Sequence, residues 1–139
     1  MNRRQLGRGR ILAGIGAVLV LVGCLLPWYR VGGDGGLPPV SANGFVGPGI
    51  LVWLAALAVL AIIALPYAAG DQPLAIDRPA SFVVVVAVGV AALALRLLQL
   101  FGDGALGLPD RAPGLWIAIV GLAVAAIGAG SIVGERSGR

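Results

Sequence analysis

Four apolar runs, each long enough to cross a bilayer and nearly free of charge, leave this chain few ways to fold. A transmembrane helix needs ~20 mostly apolar residues and tolerates ~17. Residues 11–27, 49–68, 80–101 and 114–134 meet that requirement, each bounded by Gly, Pro, Asp or Arg. Hydrophobic residues make up 59% and charged residues 12% of the 139. An average soluble domain is ~25% charged, so this chain has too little polar surface to cover a water-soluble core. In hydrocarbon a segment must satisfy its own backbone hydrogen bonds, which favours helix even for Val83 to Val86 and Val88, a strand-like run in water. The expectation is an all-α fold: one transmembrane domain, an up-down bundle of four helices. Residues 28–48 and 102–113 form loops on one side and residues 69–79 a loop on the other.

Charge placement orients the bundle. All ten basic residues are arginines, giving a net charge of +4. A nucleic-acid surface would cluster them on one folded face. Here they sit at the ends of apolar runs, so no nucleic-acid partner is expected. Arg3, Arg4, Arg8 and Arg10 precede the first run, and Arg78, Arg136 and Arg139 fall on the same side. Only Arg30 and Arg111 lie opposite, with Arg96 inside a run. The positive-inside rule therefore puts both termini in the cytoplasm, with the longest loop on the outer side of the membrane.

The first run ends at Leu25-Leu26-Pro27-Trp28-Tyr29-Arg30, a proline, two aromatics and a charge. Trp28, Tyr29, Trp53, Phe101 and Trp116 fall at one depth and form an expected aromatic belt at the outer interface. Just before the step, Leu21-Val22-Gly23-Cys24 fits the lipobox of bacterial lipoproteins, in which the cysteine is acylated and becomes the new N-terminus. Against cleavage, the apolar run continues through Leu25 and Leu26, and three further spans follow. Cys24 is then a small buried apolar residue. Beyond the step, Gly32 to Gly36 and Pro38-Pro39 give a loop without a periodic apolar face, flexible and then stiffened by proline. Asn43-Gly44 is a turn signal, with Phe45 placed to dip back toward the interface. On the other side, Asp77 can cap the third helix ahead of Pro79.

Chemistry is scarce. There is no histidine and one cysteine, which removes disulfides within the chain and the Cys/His clusters that hold metals or haem; no cofactor is expected. Ser41, Ser81, Ser131 and Ser137 have no lysine or histidine to activate them, and every carboxylate lies in a loop or tail. The candidate polar site is one helical stripe of Arg96, Gln99 and Asp103, continued inward by Ser81, Val85, Gly89 and Ala92. Arg96 can snorkel to headgroups or pair with Asp34, Asp103 or Asp110. A second stripe, Gly114, Ala118, Gly121, Ala125 and Gly128, presents small residues at spacings of four and three, and Ala13, Gly16 and Gly23 offer a similar one. Such stripes admit a second helix closely, either inside the bundle or from another molecule.

The Leu26-Pro27-Trp28-Tyr29 step, followed by the glycine-rich loop through Ser41 to Phe45, resembles the uncharacterised small four-span membrane proteins of high-GC Gram-positive bacteria. The resemblance covers all four spans in layout and about ten residues in motif, and it implies no activity. Small multidrug-resistance transporters are similar in outline, but their buried first-span glutamate is missing here, as is the paired-cysteine motif of claudin-like proteins. The expected role is non-catalytic: a structural or accessory subunit in the lipid bilayer, as a homo-oligomer or beside a membrane-protein partner. The alternative is an oligomeric transporter or channel with an Arg96-centred outer vestibule.

Overall fold

The computed structural model describes residues 7–33, 35–70 and 78–138. Four helices dominate: α1 (Arg8–Leu25), α2 (Gly49–Ala68), α3 (Pro79–Gly102) and α4 (Pro113–Ser137). Each is long and apolar enough to cross a membrane, and the chain is a multi-pass membrane protein. At 1.5 Å per residue, the 24-residue α3 is about 36 Å long, against a hydrocarbon core of ~30 Å. Proline starts α3 and α4 at the first helical position, where its missing N–H costs nothing. Asp34 and Asp77, and with Asp77 the expected cap of α3, lie outside the described residues.

Helices α1–α2, α2–α3, α3–α4 and α4–α1 pack as neighbours, an up-down four-helix bundle. The packing of α1 on α4 is the most intimate, and its antiparallel register is set by glycine. A Cβ on Gly9 would meet Ile132 and Gly128, one on Gly16 would meet Ala125 and Gly121, and one on Gly23 would meet Ala118 and Gly114. The opposing Gly114, Gly121 and Gly128 likewise abut the backbone of α1. Both helices thus carry glycine at intervals of seven, the period of a left-handed helix pair. The two small-residue stripes face each other inside the bundle and are fully used there.

The remaining interior is layered by side-chain size. Phe82 fills the end that bears the termini, beneath the Arg10 guanidinium, which lies 5.8 Å from its ring centre. Alanines and valines occupy the middle, where Ala17, Val20, Ala56, Val59 and Leu122 border a narrow apolar void. Trp28, Leu100 and Leu115 fill the opposite end. Large aliphatic side chains such as Ile15, Val84, Leu98 and Ile127 point outward, as lipid-facing positions do.

Residues 28–48 hold more regular structure than their composition promises. Strand β1 (Pro27–Val31) pairs antiparallel with β2 (Val40–Asn43) in a two-stranded hairpin. Tyr29 pairs with Ala42, Arg30 with Ser41 and Val31 with Val40, with a bulge between Pro27 and Tyr29. At the tip, positive φ at Gly32, Gly33, Gly35 and Gly36 reverses the chain, and the Gly33 N–H donates to the Leu37 carbonyl. Glycine, which read as flexibility, here supplies a tight reversal that lets the flanking strands meet. Asn43 behaves as its turn signal implied, its Oδ1 accepting from the Phe45 N–H at 3.2 Å.

Candidate functional site

The hairpin is held across one end of the bundle, and the candidate site lies under it. Its anchor is Trp28, the residue at the bulge. Bulges re-aim a side chain, and this one sends the indole inward: Trp28 is 0% exposed and its Nε1–H donates to the Gly23 carbonyl at 2.9 Å. That carbonyl belongs to the last turn of α1, where it also accepts from the Leu26 N–H at 3.3 Å, so the indole is its second donor. Trp28 is therefore not a member of an interfacial belt. A membrane-facing tryptophan keeps its ring at the headgroups, whereas this ring is a core residue that also closes a helix end.

The other four aromatics divide. Phe101 is 73% exposed on α3 and Trp116 is exposed on α4, its indole N–H donating to the Gly107 carbonyl. Both suit the interface. Trp53 is half-buried and packs edge-on against Phe45, with ring centres 5.5 Å apart, pinning the segment after β2 to α2. Tyr29 is half-buried and turns toward α3.

The residue under Tyr29 is Arg96. Its guanidinium carbon lies 5.9 Å from the Tyr29 ring centre, a cation–π contact. Nη1–H donates to Gln99 Oε1 at 3.2 Å, one helical turn on. Gly47, at φ +64°, passes over the pair closely enough that a Cβ there would touch both Nη1 and the Gln99 oxygen. Arg96 is 7% exposed, the one buried polar residue among those described. Its Nε–H is buried without a hydrogen-bond partner. Among the described residues no carboxylate is within ion-pairing distance of it, so neither Asp103 nor Asp110 neutralises the charge. An unsatisfied buried donor costs ~1–3 kcal/mol and more when charged.

Of the expected stripe, Arg96 and Gln99 are joined by a hydrogen bond. Asp103 stands apart, exposed at the end of α3, its N–H donating to the Gln99 carbonyl. A complete glycine cap follows, with Gly104 donating to Phe101 and Ala105 to Leu100. Inward, Gly89 and Ala92 are buried. Tyr29 and Gly47 as covers of Arg96 were missed from sequence; only the hairpin geometry brings them there.

Cys24 is 0% exposed. Its carbonyl accepts from the Gly44 N–H at 3.0 Å, and Gly44 packs so closely that a Cβ would lie 2.9 Å from the Cys24 Cα and 2.8 Å from the Trp28 ring. The thiol suited to acylation in a lipobox is sealed inside the fold, and the helix that precedes it is the one seated on α4. The hydroxyls of Ser131 and Ser137 donate to the carbonyls of Ile127 and Val133, four residues back, and so serve their own helix. Comparison with family models, with curated proteins and with solved structures finds no match.

Proposed function

We propose that the chain is a non-catalytic integral membrane protein, a structural or accessory subunit that presents its hairpin to a membrane partner. The observation that carries this is the distal half of the hairpin. Val31 and Val40 form a cross-strand pair that is 49% and 60% exposed, beside Leu37 at 72%. Lipid accounts for exposed aliphatic residues along the helices. It does not account for an exposed valine pair on a hairpin whose neighbouring cross-strand pair, Arg30 and Ser41, is polar and exposed. The small-residue stripes are occupied by each other, so association through them would require α1 and α4 to part.

The transporter alternative finds less support. Arg96 is the one buried polar residue among those described, and the void bordered by Ala17, Val20, Ala56, Val59 and Leu122 is apolar, which gives a permeating ion or polar solute little to bind there. In orientation, the arginine-rich ends favour cytoplasmic termini and an outer hairpin in the bacterial cytoplasmic membrane.

Two experiments test this proposal. In intact cells, Ser41→Cys should react with a membrane-impermeant maleimide and Ser137→Cys should not; the reverse pattern would invert the orientation. In mild detergent, the tagged protein should carry a partner at fixed stoichiometry that Val31→Asp with Val40→Asp releases. A folded, partnerless monomer in the same extract would sink the accessory role.

A further inference from the structure

The unpaired side of Arg96 has a definite shape. In a guanidinium the Nε–H and the nearer Nη2–H point the same way, forming a fork that matches two oxygens of a phosphate or carboxylate. Gln99 takes Nη1, on the other side. Nε is buried and unpartnered, and among the described residues the one hydrogen bond of the guanidinium is that from Nη1. The fork is thus the part of the site left without an acceptor, and Tyr29 and Gly47 fix the side chain so that the fork is preformed.

Position selects the anion. Arg96 lies six residues before the end of α3, about 9 Å along its axis. Helix α3 exceeds the hydrocarbon core by about 6 Å, or ~3 Å at each end. The Arg96 backbone then sits some 6 Å below the hydrocarbon boundary, a depth from which an arginine side chain reaches the phosphate layer. Leu95 and Leu98, 54% and 68% exposed, form the lipid-facing surface of the same helix at this level. An acyl chain along those leucines brings its own phosphate to the level of the guanidinium.

We infer that Arg96, held by Gln99 and roofed by Tyr29 and Gly47, is a binding site for a phosphate group, supplied by a phospholipid headgroup of the hairpin-side leaflet. The recognised chemistry is the phosphodiester, so the site takes zwitterionic and anionic phospholipids alike and rejects a lipid without phosphate. It is independent of the accessory role, since a resident lipid is compatible with any activity of the bundle.

The test is thermal unfolding of the delipidated full-length protein in detergent, titrated separately with short-chain phosphatidylglycerol, short-chain phosphatidylcholine, the matching diacylglycerol and inorganic phosphate. Both phospholipids should raise the midpoint in a saturable way and diacylglycerol should not. A rise with inorganic phosphate at millimolar concentration would assign the same fork to free phosphate. Equal stabilisation by diacylglycerol and the phospholipids, or none by any phosphate compound, would overturn the site. Native mass spectrometry supplies the second readout. Arg96→Lys, which keeps the charge but loses the fork, should retain phospholipid at least tenfold less well than the unmodified protein while still folding. Undiminished retention in a folded Arg96→Lys would also overturn it.

Discussion

The glycine seam makes a prediction in which one chemical change has opposite effects at two places. A Cβ on Gly16 would lie 2.8 Å from the Ala125 Cα and closer still to the Ala125 nitrogen and the Gly121 carbonyl oxygen. Carbon pairs prefer 3.5–4.0 Å, so the shortfall is about 1 Å, and every atom it meets is backbone. No rotamer change relieves it; α1 and α4 must separate. Overpacking a core costs about 1–3 kcal/mol, and a clash with an unyielding surface belongs at the top of that range. Gly16→Ala should therefore lose about 3 kcal/mol, about a hundredfold in the folding equilibrium at 1.4 kcal/mol per decade. Gly130, in the same seam-forming helix α4, has no heavy atom within 4 Å of the equivalent position. There alanine only restricts the unfolded backbone, and Gly130→Ala should gain roughly 0.5–1 kcal/mol. Both variants can be unfolded by titrating dodecyl sulfate into mixed micelles, followed by circular dichroism and by protease resistance. If the two curves shift in the same direction, or Gly16→Ala moves by less than ~0.5 kcal/mol, the helices do not meet backbone to backbone as described.

Three further outcomes follow from the hairpin end. Trp28→Phe keeps most of the ring but removes one of the two donors to the Gly23 carbonyl, which keeps the Leu26 N–H, and should cost ~0.5–1.5 kcal/mol in the same titration; Trp28→Ala should cost ~3–5 kcal/mol. Cys24 should stay unlabelled by a maleimide in the folded micelle and react fully after denaturation, because its thiol is enclosed; labelling at the rate of a free thiol would contradict that enclosure. Gly44→Ala places a methyl 2.8 Å from the Trp28 ring and 2.9 Å from the Cys24 Cα. It should destabilise by ~1–3 kcal/mol and accelerate Cys24 labelling, since relief requires the hairpin to lift.

Much of the bundle was legible because a bilayer removes alternatives: a long apolar run without a partner for its backbone is a helix. The valines of α3, ambiguous in water, become unambiguous there. The small-residue stripes were also visible as spacing, but spacing does not say whether the second helix is internal. That is decided by register, with Gly9, Gly16 and Gly23 set against Gly128, Gly121 and Gly114, which only the folded chain supplies. Trp28 misled for a physical reason. Next to Pro27 and Tyr29 at the end of a span, it has every local mark of an interfacial residue, and the bulge that turns it inward depends on pairing with a strand more than ten residues away. Arg96 was identifiable as the charge within a span, whereas its roof comes from two loop segments distant in sequence.

These features form one chain of dependence that begins in the seam. A two-stranded hairpin is marginal on its own, and this one borrows its order from the bundle through Trp28, Gly44 and the Phe45–Trp53 pair. Gly23 serves both sides: its missing side chain admits Ala118, and its carbonyl receives the Trp28 indole. Five residues further on, Trp28 fixes the strand whose next residue, Tyr29, covers Arg96. The burial of the one polar residue inside the bundle, among those described, therefore rests on how closely α1 approaches α4. A bulkier residue at Gly23 disturbs three things together: the seam, the closure of α1 and the roof over the guanidinium. A substitution midway along the seam, such as Gly16→Ala, loosens the helices without touching the indole bond directly. If the two positions cost similar stability but only Gly23→Ala also releases bound lipid, the hairpin and not the bundle as a whole shapes the Arg96 site.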